Sequence, residues 1–136
     1  MSDVRLTVRI DFGSAGALGP GKIRLLEAIH QTGSISQAGR SLDMSYRRAW
    51  LLVNDLNRSF REAVVTTQPG GTRGGGAALT RFGRDLIKKY RSVETQATKA
   101  AKRQLHDLKD ALRTRTRPVP KRLKTSIQAA SRADDE

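Results

Sequence analysis

Within "SYRRAWLLVNDLNRSF", Ser45 to Phe60, three side chains able to read nucleobases recur at helical spacing: Arg47, Asn54 and Arg58. A guanidinium pairs bidentately with O6 and N7 of guanine, and a carboxamide with N6 and N7 of adenine, so such a stripe suits the major groove of a duplex. The stripe requires a helix with an apolar back. With Ala49 as the inward direction, at about 100° per residue, Val53, Leu56 and Phe60 fall within about 40° of it, while Arg47, Asn54 and Arg58 point away. Ser45, Tyr46, Arg47 and Arg48 open that helix, where hydroxyl and guanidinium groups can meet phosphates or base edges. Arg47 is the best-placed base reader. Arg48, nearer the flank, suits a phosphate contact or an ion pair within the chain as well as base readout. Tyr46 and Trp50 share one flank and are expected to pack against a neighbouring helix or hairpin rather than stack on bases.

The elements that would hold this helix can be followed along the chain. Val4 to Phe12, "VRLTVRIDF", alternates with period two and predicts a half-buried strand. After the loop "GSAGALGPG", the residues Ile23, Leu26 and Ile29 predict a helix over about 21–32, closed by Gly33. Ser34 and Gln37 have the spacing of a capping box and start a second short helix carrying Ile35, Ala38 and Leu42. Ser45 is placed to cap the third helix, which runs toward Phe60. Two such helices joined by a tight turn, with small Ala38 at their approach, match a helix-turn-helix.

The segment "AVVTTQPGGTRGGGAALT" then predicts a hairpin with a glycine-rich tip, a wing in which Arg73 would supply charge beside a sugar-phosphate chain. "GGTRGGG" lacks the Gly-Lys-Ser/Thr ending of a phosphate-cradling nucleotide loop. Thr80 can cap a fourth helix whose apolar positions, from Phe82 through Leu86, Tyr90 and Val93 to Leu112, recur at steps of three and four. A stripe that long exceeds what one small globule covers, which predicts pairing with a second copy. The resulting organisation is a mainly α protein with a small β wing: a winged domain over 1–95, a long dimerisation helix over 80–113, and a disordered basic tail over 114–136.

Composition narrows the partners. Lys and Arg number 26 against 13 Asp and Glu, a formal charge of +13 in 136 residues, which favours polyanions. Without cysteine there are no disulfides and no thiolate sites. His30 and His106 have no ligand-spaced neighbours, so no metal or other cofactor is expected, and no Ser/His/Asp constellation suggests an enzyme. Neither a leader sequence nor a membrane-spanning run is evident, which points to a cytoplasmic protein with no membrane partner and no small-molecule site.

The stretches "GSISQAGRSLDMSYRRAW" and "GGTRGGGAALTRFGRDLI" resemble the N-terminal DNA-binding domain of the molybdate-responsive ModE regulators, over roughly Leu6 to Glu94. The resemblance implies a winged helix-turn-helix that dimerises partly through the long helix and binds a partly palindromic operator, in molybdenum homeostasis. In that family molybdate is sensed by β-rich domains that follow. Here about forty residues follow Glu94 and read as helix and basic tail, so the expectation is a DNA-binding domain without the sensing part. The DNA-contacting candidates are Ser34, Ser36, Ser45, Tyr46, Arg47, Arg48, Asn54, Arg58 and Arg73. Those for dimerisation are Phe82, Leu86, Tyr90 and Val93. A nucleoid or RNA-binding protein driven by charge alone, and an adaptor whose long helix recruits another protein, are the competing functions.

Overall fold

A computed structural model describes residues 4–68 and 76–113. The tip of the hairpin with Arg73, and the basic tail from Thr114, lie outside the described residues. Helix α1, Pro20–Thr32, opens on a proline whose missing N–H loses nothing in the first turn. It closes on Gly33 at φ 70°, a left-handed conformation that glycine adopts without steric penalty. Helix α2, Ile35–Ser41, starts where Ser34 Oγ accepts from the Gln37 N–H at 3.2 Å. The reciprocal half of the expected capping box is replaced. The Ser34 N–H donates instead to Thr32 Oγ1 at 3.3 Å, because that hydroxyl is held in the preceding turn by the Ala28 carbonyl.

The turn into helix α3, Tyr46–Ser59, places Asp43 at φ 55°, a conformation aspartate tolerates better than most residues. There the Met44 N–H donates to Gly39 O at 2.8 Å. A second small residue, Gly39, also stands at the approach of the two helices. Ala38 is buried, and beside it Gly39 comes close to α3, where a Cβ would stand 3.1 Å from Ala49 Cβ.

Strands β1, Ile10–Asp11, and β2, Ala17–Leu18, form one antiparallel pair, and β3, Val65–Gln68, and β4, Gly76–Leu79, form another. The expected strand over Val4 to Phe12 therefore shrinks to two paired residues. The alternation itself is real, since Val4, Leu6, Val8, Ile10 and Phe12 are half-buried and the residues between them exposed. The segment lies along the helices, and among the described residues no strand runs beside 4–9 to complete a ladder. It is held instead by the Tyr90 hydroxyl, which donates to Val8 O at 2.6 Å. Burial, and then the nearby Glu94 carboxylate, push the Tyr90 phenol above its ordinary value and keep it a donor.

Thr80 Oγ1 caps helix α4, Arg81–Ala100, by accepting from the Gly83 N–H at 2.9 Å. The single helix expected to reach Leu112 is divided at Ala101 (φ −96°, ψ 8°), after which α5 runs Lys102–Ala111. Leu86 and Tyr90, expected at an interface between copies, are buried in the core of their own chain, with Tyr90 1% exposed. Helix α1 and the N-terminal segment cover them, joining Ile23, Leu26, Ile29, Val53 and Leu56 in one apolar cluster. Arg91 fixes this packing from outside by bridging Glu27 of α1 at 2.6 Å and Glu94 at 2.7 Å, and those hydrogen bonds hold its guanidinium charged. Phe82 is half-buried against Phe60, which in turn meets Phe12 edge-on, at 5.3 and 5.6 Å between centroids.

Candidate nucleic-acid interface

Helix α3 buries Ala49, Leu52, Val53 and Leu56, so the opposite face is turned to solvent by the same periodicity. Arg47, Asn54 and Arg58 are all exposed there. Arg47 and Arg48 belong to no ion pair among the described residues, which leaves both guanidinium groups available. Arg58 is different: its Nη2 donates to Asp55 Oδ1 at 2.8 Å. A pair this exposed contributes on the order of 0–1 kcal/mol, so a phosphate or base edge can compete with Asp55 for the guanidinium.

At the start of α3, Ser45 Oγ accepts from the Arg48 N–H at 3.0 Å. Ser34 is engaged in the same way at the start of α2. A serine hydroxyl used as a cap acceptor retains its proton, so Ser34 and Ser45 can still donate to a phosphate oxygen. Ser36 is half-buried within α2, one turn before Arg40. Tyr46 and Trp50 separate. Trp50 packs against the core with its indole Nε1 buried and without a partner among the described residues, whereas Tyr46 is 61% exposed and meets Trp50 edge-on, at 6.1 Å between centroids. Of the two aromatics expected to pack, Trp50 does so, while Tyr46, at the first position of α3, is exposed among the described residues.

Sequence reasoning passed over Asn57. Its Oδ1 accepts from the Val64 and Val65 N–H groups at 2.8 and 3.1 Å, and its Nδ2 donates to Val65 O at 3.0 Å. One carboxamide thus ties the last turn of α3 to the base of the hairpin. The available signal was position: Asn57 follows Val53 by four residues and so flanks the buried face, where a polar side chain has to find partners. The hairpin is tied on its other side as well, by the Ala77 N–H donating to Gly33 O at 2.9 Å. Among the described residues, no group of three or more His, Cys, Asp or Glu could hold a metal ion, and no helix is long and apolar enough to cross a membrane.

Three helices in this order, a tight turn before an outward arginine-rich helix, and an antiparallel hairpin fastened beside it match a winged helix-turn-helix. The chain is 37% identical over 99 residues to the molybdenum transport protein ModE of Azotobacter vinelandii, covering 73% of this chain and 36% of the relative. It is 44% identical over 81 residues to the transcriptional regulator ModE of Yersinia pestis, covering 60% and 31%. With the DNA-binding transcriptional dual regulator ModE of Escherichia coli (strain K12) the identity is 42% over 71 residues, covering 52% and 27%. By these identities the chain is a homologue of the ModE proteins, and it spans about a third of the length of these relatives. No family model matches the chain.

Proposed function

We propose that the chain binds double-stranded DNA sequence-specifically, as a transcription regulator of the ModE kind concerned with molybdenum supply, with α3 in the major groove and the hairpin on the adjacent backbone. The observation that carries this reading is the exposed Arg47, Asn54 and Arg58 stripe on the helix after the turn. Ser34, Ser36, Ser45, Tyr46, Arg48 and Arg73 then serve as phosphate-side contacts that set the register. Immunoprecipitating the protein from cells and sequencing the bound DNA tests it: one recurring motif near transport or metalloenzyme genes is expected. Fragments with no shared motif would favour the second reading, a general nucleic-acid binder, which the charge of +13 supports. Within the specific reading, Arg47→Ala should remove about 1–3 kcal/mol of discrimination at one base pair. The ratio of dissociation constants for the recovered motif and a scrambled duplex measures this, and a ratio equal to the wild type's would remove Arg47 from base reading.

Dimerisation belongs to the same proposal, and the burial of Leu86 and Tyr90 moves its surface outward. Among the described residues no side chain of helix α5 is buried, and Leu108 on it and Leu112 at its end are 60% and 53% exposed, while Val93 on α4 is also exposed. Leu108 and Leu112, four residues apart on α5 and at its C-terminal cap, suit a partner helix. Sedimentation equilibrium should show a dimer, and Leu108→Glu combined with Leu112→Glu should give a folded monomer. A wild-type chain that stays monomeric at high concentration would remove the dimer and the two-fold operator with it.

A further inference from the structure

The solvent face of α3 carries one large apolar side chain among polar ones. Leu51 is 45% exposed. At about 100° per residue it lies within about 40° of Arg47, and Asn54 and Arg58 lie within about 20° of Arg47, so all four form one stripe. Leu51 follows Arg47 by one turn and precedes Asn54 by three residues, which puts it between the two groups best suited to base edges. The core-facing residues of the helix, Ala49, Leu52, Val53 and Leu56, are on the opposite side and do not cover it.

A scattered exposed leucine is ordinary on a protein surface and by itself means nothing. Its surroundings distinguish this one. A second protein is a poor occupant, because the apolar spot is one side chain wide and flanked, one turn before it, by Arg47 and Arg48, unpaired among the described residues, and, one turn after it, by the polar Asn54 and Asp55. A symmetric contact between copies would bring the like-charged arginines together. A duplex neutralises the same arginines. Its major groove also presents one apolar group, the C5 methyl of thymine, beside the acceptors and donors that Arg47 and Asn54 would engage.

We propose that Leu51 is a specificity-determining residue that packs on the C5 methyl of a thymine next to the base pairs contacted by Arg47 and Asn54. This rests on the sequence-specific duplex reading above. The contact needs no hydrogen bond, and it selects thymine over cytosine at a position where an arginine or asparagine would select a purine. Tyr46, also exposed, stands about 100° from Arg47 and therefore flanks the stripe rather than extending it.

The test begins by selecting bound sequences from a random duplex library, and then replacing each thymine of the consensus with deoxyuridine. That replacement removes the methyl and leaves the hydrogen-bonding edges unchanged. At one thymine, and at its symmetry mate where the site has one, wild-type affinity should fall about fourfold, the scale of one buried methyl group. Leu51→Ala should bind the thymine duplex about fourfold more weakly than wild type and lose nothing further on the change to deoxyuridine. Leu51→Met, which keeps an apolar side chain there, should retain the preference. Because Leu51 is exposed, all three proteins should give the same circular dichroism and melting midpoint. A consensus without thymine beside the purines, or a deoxyuridine effect of equal size in wild type and Leu51→Ala, would overturn the assignment while leaving the regulator reading intact. A library that yields no consensus would overturn both.

Discussion

Gly83→Ala is expected to destabilise the protein by about 2–3 kcal/mol, although alanine is intrinsically better in a helix than glycine by about 1 kcal/mol. Gly83 is buried in the first turn of α4, where the helix crosses the backbone just before β3. A Cβ there would overlap the Val64 carbonyl oxygen and stand 3.3 Å from Val64 Cγ1. The carbonyl is not free to retreat, because it accepts from the Thr80 N–H at 3.0 Å and from the Thr80 hydroxyl at 3.3 Å. Val64 is itself fixed on its other side by the Asn57 carboxamide. A methyl group therefore forces apart α4, the hairpin and the end of α3 together, and the close crossing outweighs helix propensity. For a domain of about 100 residues the loss corresponds to a melting point lower by roughly 10–20 °C. Urea denaturation at unchanged m-value measures it directly. An alanine variant as stable as the wild type would show that α4 does not pass this close to Val64.

The same crossing explains what could be read from the sequence and what could not. Helices α1 to α3 follow local rules: apolar spacing, a proline at the start and Gly33 at the end of α1, and serine caps at 34 and 45. All of these act within a few residues, and the elements stand within a residue or two of where that spacing puts them. The outward placement of Arg47, Asn54 and Arg58 follows from the same periodicity. The long-range partners were hidden. Nothing near Leu86 or Tyr90 indicates that Val8, some eighty residues earlier, accepts the Tyr90 hydroxyl, so the part of the apolar stripe that holds these two residues, read as an interface between copies, is core. Gly39 and Gly83 carried a weak signal, since glycine inside a helix is unfavourable unless something comes close, but the sequence does not say what comes close. Leu51 was overlooked because amphipathic analysis sorts residues into an apolar and a polar face, and it is an apolar residue on the polar one.

Asn57→Ala should lower stability by about 3 kcal/mol and should also separate the wing from the recognition helix. The substitution deletes an acceptor shared by two backbone donors, the Val64 and Val65 N–H groups, and the donor to Val65 O. Both valines are buried, so water does not simply replace the carboxamide, and each orphaned group costs about 1–3 kcal/mol. Alanine is the better helix former here, so propensity works against the expected sign. Asn57→Asp discriminates among the three bonds: a carboxylate can accept from both N–H groups but cannot donate to Val65 O, and its stability should fall between wild type and alanine. Amide exchange gives a local reading that bulk unfolding does not. Val64 and Val65 should lose protection in Asn57→Ala well before the α1 core does, because the base of β3 is freed while the Ala77 to Gly33 bond still holds β4. Where the wing contributes to DNA affinity, the alanine variant should bind more weakly without changing its preferred sequence, since the α3 stripe is untouched. Unchanged protection at Val64 and Val65, with stability within about 0.5 kcal/mol of wild type, would show that the carboxamide is not what fastens the hairpin to α3.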